Sequence, residues 1–367
     1  MKEDAMDFVQ RIYETCNPIP GGRDAPPVAI GHPVIGPIGR WIPGAGRIPG
    51  RMELQGMSRR TLDALLRDEE RFKANPKKAM RFALRECGAI TTWDGVLNSR
   101  ANGKADDFCG FKNSQTTVAN QWSSFFRSTG TPGAGAPANI PGGTVCSQSV
   151  AGAWPIQKPN SPDKKYLINF GVNHMTGTNI VVLIDLLVAA GNISGSTNSV
   201  QTINTSALTR YTDGKGVMII LAVTTALGST GANVTISYTG NDSQGSGRST
   251  GAIAMTGSCI TYRLQPVAGG FIIALQSGDI GVKSVQTLQL SASMTAGVMD
   301  IYLFKPLLIM PTLATTTYVE RSTPGMLGGL IELQQDGSQN TACLTFLVNT
   351  STTSTGVQTY FTQTCSG

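Results

Sequence analysis

The chain has 367 residues, of which 40% are hydrophobic and only 14% are charged, and its formal net charge is +6. This charged fraction lies well below the roughly 25% of an average globular protein, which excludes a disordered chain and a coiled coil. The 43 Gly and 19 Pro are typical of short strands joined by tight turns. The composition predicts a soluble, β-rich protein of about two domains.

The first predicted segment, residues 1–56, consists of a helix over residues 3–15 and an extended arm. The helical stretch has acidic residues and lacks the apolar core of a signal peptide. Residues 17–56 are rich in Pro and Gly, which exclude a helix or a central strand. Their many Ile and Val are too apolar for a flexible linker, so we expect an arm that lies on another subunit, although an irregular loop packed on its own domain stays open.

Cations and apolar residues alternate with turns in the second half of the arm, a combination typical of interfaces. Arginine pairs with carboxylates and tryptophan fills pockets, and both dominate interface energetics. The residues predicted to bind neighbouring subunits or the capsid are Arg40, Trp41, Ile42, Arg47, Ile48 and Arg51.

Residues 57–128 are predicted to be a small helical or mixed region, with helices over 58–73 and 76–87. Residues 1–150 carry 19 Lys and Arg against 14 Asp and Glu. This basic excess would suit nucleic acid or an acidic protein lattice, or simply reflect solvated helix faces. Sequence-specific DNA binding is not favoured, because these two helices lack the turn spacing and the third helix of a helix-turn-helix.

Residues 129–143 are a low-complexity connector and are predicted to be a linker. Beyond it, residues 144–367 are predicted to fold as a β-sandwich or jelly roll, because short apolar or alternating runs are separated by turn residues. Residues 180–190 form the longest apolar run, too short to span a bilayer and compatible with a buried strand or a helix. The predicted strands cover 167–172, 216–225, 234–238, 270–275, 285–290, 299–303 and 342–348.

The sequence offers little for catalysis or for metal binding. The two histidines, His32 and His174, have no evident partner, and no catalytic or nucleotide-binding motif is present. The seven cysteines contain no CxxC, so we predict no zinc site, no cofactor and no enzymatic activity. A spatial pair of carboxylates for glycoside hydrolysis stays open. The cysteines are expected to be reduced and buried, with a Cys343–Cys365 disulfide or a cross-link between subunits as alternatives.

Three stretches of the second domain resemble virion structural proteins of tailed bacteriophages, over roughly residues 150–310. They are ALTRYTDGKGV at 207–217, TTALGSTGANVTISYT at 224–239 and LQSGDIGVKSVQ at 275–286. The resemblance implies a capsid-associated or decoration protein of the particle, and it assigns no role to single residues. The resemblance agrees with the interpretation of residues 17–56 as an arm that binds other subunits. It also agrees with the low charge, which is tolerable when much of the surface is buried in an assembly.

The sequence therefore predicts a non-enzymatic cement or decoration protein that binds the major capsid protein or other virion proteins through its arm. We expect a homo-oligomer, with a trimer favoured, that is assembled into virions in the host cytoplasm and contacts no membrane. One alternative is a receptor- or glycan-binding module of a tail or head fibre, with ligand loops at 194–199 and 240–247 and Tyr211 or Tyr238 as binding aromatics. Another is a neck or connector protein whose basic helices approach DNA.

Overall fold

The computed structural model describes two units of the chain. The first comprises residues 1–95, 159–164 and 366–367, and the second comprises 96–158 and 165–365. The predicted helices at 3–15, 58–73 and 76–87 lie outside the described residues. The described residues are 40–42, 46–48, 90, 93–159, 163–174, 179–241, 247–312, 318–322, 330–333 and 342–366.

The protein is mainly β, as predicted. In the first unit, β1 (Arg40–Ile42) and β2 (Gly46–Ile48) form an antiparallel pair. The elements that follow are helix α1 (Trp93–Ala101), β3 (Ala105–Thr117), β4 (Trp122–Ser124), β5 (Gly130–Thr131), β6 (Thr144–Val145), β7 (Lys165–His174), β8 (Asn179–Ser194), β9 (Gln201–Thr202), β10 (Met218–Thr225), β11 (Ala232–Gly240), β12 (Arg248–Ser249), β13 (Ile253–Met255), β14 (Val282–Leu290), β15 (Val298–Thr312), β16 (Tyr318–Ser322), β17 (Ile331–Glu332), β18 (Leu344–Thr350) and β19 (Ser354–Ser366).

The central sheet has the strand order β10-β15-β8-β18-β4, and β6 also pairs with β8. All its pairs are antiparallel. Strand β8 contains the apolar run at 180–190, which is therefore a strand and not a helix. It is buried almost throughout because both faces of the central sheet are covered, and a strand buried on both faces needs no alternation of apolar and polar residues.

Two further sheets complete the sandwich. One has the order β12-β11-β14-β9, and its strand β11 alternates buried and more exposed residues, as expected for a strand with one face on the core. The other has the order β16-β7-β19-β3-β5. The first packs on one end of the central sheet through a core that includes Leu221, Ile236 and Leu288. The second packs on it through a core that includes Phe170, Leu183 and Phe346.

Six of the seven strands predicted from the sequence overlap strands of the structure, although 216–225 and 342–348 each begin two residues too early, and the seventh prediction was wrong. Residues 270–275 make only isolated bridges, such as the one between Ile272 and Ile220. Gly269 and Gly270 have positive φ angles, and this backbone conformation interrupts a regular strand. Residues 129–143, predicted as a linker, lie within the second unit, where β5 pairs with β3. The predicted division into domains stays a prediction.

A glycine at the close approach of two turns provides a test of this packing. A Cβ added at Gly281 would overlap the backbone carbonyl of Gly214, and backbone on both sides leaves no flexible group to move away. We expect Gly281→Ala to lower the free energy of unfolding by about 1–3 kcal/mol. Denaturant unfolding measures this, and Gly133→Ala is the matched control because a Cβ there meets nothing within 4 Å. Equal stabilities of the two variants would contradict the described packing.

Candidate functional site

The residues predicted to bind neighbouring subunits fall on the β1–β2 hairpin. The register places Arg40 opposite Ile48, Trp41 opposite Arg47 and Ile42 opposite Gly46. The tryptophan and one arginine are therefore direct partners across the two strands. Arg51 lies outside the described residues. The pairing of β1 with β2 thus brings together five of the six predicted residues, and their role stays a prediction.

A cleft of about 280 Å³ lies at one end of β3 and is lined by residues from three segments of the chain. Asp106 lies in it and accepts hydrogen bonds from the Lys165 amine at 2.7 Å and from the Gln157 amide at 3.2 Å. Asp107 is paired with Arg100 on the surface. Both carboxylates are therefore paired with cations: the Asp106 pair links β3 to β7, and the Asp107 pair links β3 to helix α1. The lining residues are Ala105, Asp106, Asp107, Phe108, Pro155, Ile156, Gln157 and Thr364.

The most deeply buried charges of the sandwich form a bidentate ion pair. Arg210 donates to the two carboxylate oxygens of Asp185 at 2.9 and 2.7 Å, and both side chains are fully buried. Asp185 also accepts the backbone amide of Cys343 at 2.9 Å. Burial opposes the charge of Arg210, yet its pKa is raised because Asp185 faces it. The pair ties β8 to the segment before β10 and to the start of β18.

A second carboxylate is held in the same way on β15. Arg127 donates to both oxygens of Asp300, at 2.5 and 2.9 Å, and the Tyr302 hydroxyl donates to one of them at 3.1 Å. Burial raises the pKa of Asp300 against the opposing effect of these hydrogen bonds. Tyr302 is itself fully buried. The carboxyl is therefore closed off from any substrate.

Tyr238, one of the two aromatics proposed to bind a ligand, lies in strand β11 and contacts the buried carboxyl of Asp279. The hydroxyl of Tyr238 donates to Asp279 at 2.6 Å and accepts the amide of Gln276 at 2.7 Å. Burial, followed by the hydrogen bond to Asp279, raises the pKa of Tyr238 to about 12. Tyr238 is fully buried, and Tyr211 is half-buried beneath the Lys305 amine, 5.3 Å from its ring centre. The interpretation of these two tyrosines as exposed ligand-binding aromatics was wrong.

Exposed apolar side chains occur on the central sheet instead. The β8–β15 register places Ile180 opposite Pro311 and Val182 opposite Ile309. Ile180 and Ile309 are 42% and 55% exposed, and alternate residues of a strand share a face. Ile180, Ile309 and Pro311 therefore form a small apolar surface that is open in the isolated chain, while Val182 beside them is buried. The sequence contains no signal for this surface, because the apolar runs of β8 and β15 resemble strands that are buried throughout.

In the part of the chain that the structure describes, four cysteines are free thiols: Cys109 is exposed, while Cys146, Cys259 and Cys343 are buried. The open alternative of a Cys343–Cys365 disulfide is therefore not what the structure has. Burial raises the pKa of Cys259 to about 11. Within the described residues, no group of three or more His, Cys, Asp and Glu comes together that would hold a metal ion. His32 and the side chain of His174 lie outside the description.

Comparison with known proteins gives no family. No family model matches the chain, and no curated protein matches it. Particles derived from infectious bursal virus match with 11% identity and a TM-score of 0.14, over 71% of this chain and 78% of theirs. The solved structure of infectious bursal disease virus, Gt strain, matches with 10% identity and a TM-score of 0.14, over 72% of this chain and 81% of the viral chain.

A third solved structure, the VP2 subviral particle of infectious bursal disease virus, has 11% identity and a TM-score of 0.13, over 71% of this chain and 80% of that one. Scores this low mean that the backbones do not superpose, so these matches carry no argument about fold or role. Where the chain is described, no helix combines the length and apolarity needed to cross a membrane.

Proposed function

We propose that this chain is a non-enzymatic structural protein of a virus particle, attached to the capsid lattice as a cement or decoration protein through the segment that contains β1 and β2. The observation that carries the proposal is the pairing of carboxylates of the sandwich with basic side chains. Asp185, Asp300 and Asp106 are each held by a basic side chain at 2.5–2.9 Å. Pairs of this kind fix segments of the fold to one another, and they occupy these three carboxylates, which are therefore not free to act as an acid or base.

The apolar surface on β8 and β15 supports a role in assembly. Ile180, Pro311 and Ile309 stand next to one another and are exposed. Contiguous exposed apolar surface typically marks a contact with another protein. The low charge of the whole chain, 14% of residues, fits a molecule with much of its surface covered by neighbours.

The hairpin supplies the second support. Trp41 and Arg47 form a cross-strand pair within a segment whose Ile and Pro residues are too apolar for a free linker. An arm that reaches the major capsid protein or another virion protein would add contacts whose effect multiplies over many copies. The chain itself would associate as a homo-oligomer, with a trimer favoured, inside virions assembled in the host cytoplasm.

We expect the double variant Trp41→Ala, Arg47→Ala to rebind at least tenfold more weakly to particles stripped of this chain, because buried Trp and Arg dominate interface energies. Co-sedimentation with the stripped particles measures the binding. The matched control is Tyr262→Ala with Lys215→Ala, which removes an exposed aromatic and an exposed cation from the sandwich.

Two results would overturn the proposal. One is undiminished binding by the double variant and also by a chain that lacks residues 1–56. The other is a full-length chain that sediments as a monomer at every concentration and leaves stripped particles bare. Unfolding curves of each variant that match the parent would show that a loss of binding is not a loss of fold.

A further inference from the structure

The end of β6 and the start of β18 both lie beside a bulge in β8. The register opposite β15 pairs Val188 with Leu303 and Leu186 with Phe304, so Leu187 is an extra residue. In a regular strand, the backbone groups of consecutive residues hydrogen-bond to the neighbouring strands on opposite sides. At a bulge, two consecutive residues can both hydrogen-bond to the neighbour on one side.

This bulge brings together two cysteines that are about 200 residues apart in sequence. The amide of Cys146, just after β6, donates to the carbonyl of Leu187 at 2.9 Å. The amide of Leu186 donates to the carbonyl of Cys343, just before β18, also at 2.9 Å. Because consecutive Cα atoms of a strand are about 3.8 Å apart, the two cysteines lie at adjacent positions along one edge.

The side chains of the two cysteines face the same core. Cys146 and Cys343 are both fully buried and both belong to the cluster that includes Leu186 and Leu347. The Cys146 thiol donates to the carbonyl of Thr144 at 3.5 Å, and it lies close enough to Cys343 to contribute to the raised pKa of that thiol. Disulfides need Cα atoms within about 7 Å and side chains directed at each other, and the adjacent edge positions and shared core of Cys146 and Cys343 favour both requirements. Cys259 lies in the other core, so it is not a competing partner.

We propose that Cys146 and Cys343 are a disulfide-forming pair that locks β6 to β18 when the chain meets a small oxidising disulfide such as glutathione disulfide. One cysteine thiolate attacks glutathione disulfide and releases one glutathione as thiolate. The second cysteine thiolate then attacks the mixed disulfide and releases the other glutathione. The two cysteines lose two electrons and two protons, and these end on two glutathione thiols.

The burial of the pair determines how fast it reacts. Burial, with the nearby Cys146 thiol adding to it, raises the pKa of Cys343 well above its usual value. Since the thiolate is the nucleophile, the pair is inert while the junction is closed. Oxidation therefore proceeds through local opening of the β6–β18 junction, and a low concentration of urea should accelerate it.

The test uses the full chain with Cys109→Ser, which removes a thiol that is exposed. The chain is incubated with glutathione disulfide, with and without mild urea. Remaining thiols are then blocked with N-ethylmaleimide in denaturant, and the digest is analysed by mass spectrometry. We expect a peptide that links Cys146 to Cys343, formed faster in urea, and a melting temperature about 5 °C above that of the reduced chain, because the closed loop is long.

Variants separate the pair from the other cysteines. Cys343→Ser and Cys146→Ala should each lose the linked peptide and the oxidant-dependent rise in melting temperature, while Cys259→Ser should keep both. If one of the first two fails to fold, the other carries the comparison. The proposal is overturned if the linked peptide is absent from a folded chain after prolonged oxidation in mild urea, or if the rise persists in either variant of the pair.

Discussion

Replacing Arg210 with methionine is expected to lower the free energy of unfolding by about 3–5 kcal/mol, because it leaves the Asp185 carboxylate buried without a cation. The loss is large because both members of the pair have no exposed surface. Asp185 keeps one other donor described here, the amide of Cys343, which cannot balance a full charge. Denaturant unfolding near pH 7 measures the loss.

Two further variants test the cause of that loss. Adding Asp185→Asn to Arg210→Met removes the unpaired charge and keeps a carbonyl acceptor for the Cys343 amide, so part of the stability should return. Arg100→Met breaks the exposed pair with Asp107 and should cost far less stability than Arg210→Met, because water screens an exposed pair. Equal losses in Arg210→Met and Arg100→Met would contradict a dominant role for burial.

Local pattern predicted most of the strands of the central part of the molecule. The alternation at 234–238 and the apolar run at 180–190 reflect one or two buried faces, and both are visible in sequence. Strands β3 and β19 were missed, although each has 13 residues. They pair with each other over most of their length, and β3 contains charged and polar residues that only their tertiary partners explain.

The candidate site shows the same limit. The sequence placed arginine and tryptophan on the arm, but no pattern foretold that Asp185, Asp300 and Asp106 would each meet a cation from a distant segment. Arg127 and Asp300 are 173 positions apart, and such a pairing leaves no local signal. The meeting of Cys146 and Cys343 likewise depends on a bulge in a third strand, which residue spacing does not encode.

Lys112 is the other buried charge whose removal should have a large effect. It lies on β3 with no exposed surface, and its amine donates to the carbonyls of Ser128, Pro132 and Gly133 at 3.0–3.1 Å. Methionine would fill the space and leave three carbonyls without a donor. We expect Lys112→Met to lower the free energy of unfolding at pH 7 by about 3 kcal/mol, and Lys215→Met, at an exposed lysine, to change it by less than about 0.5 kcal/mol.

The stability difference between the parent chain and Lys112→Met should also depend on pH. Burial lowers the pKa of Lys112 from 10.5 in the unfolded chain to about 8. Between these values the unfolded chain binds more protons at this site, so the contribution of Lys112 to the free energy of unfolding rises with pH from about 8 to 10.5. Below pH 8 both states are protonated and the contribution is constant.

Tyrosines and cysteines titrate in the same pH range, so the comparison has to be a difference between two chains. Burial raises the pKa of Tyr238 to about 12 and of Cys259 to about 11, and these groups make the folded chain less stable as pH rises. They are common to the parent and to Lys112→Met and cancel in the difference. A difference in unfolding free energy that stays flat from pH 7 to 10 would show that Lys112 keeps an ordinary pKa in spite of its burial.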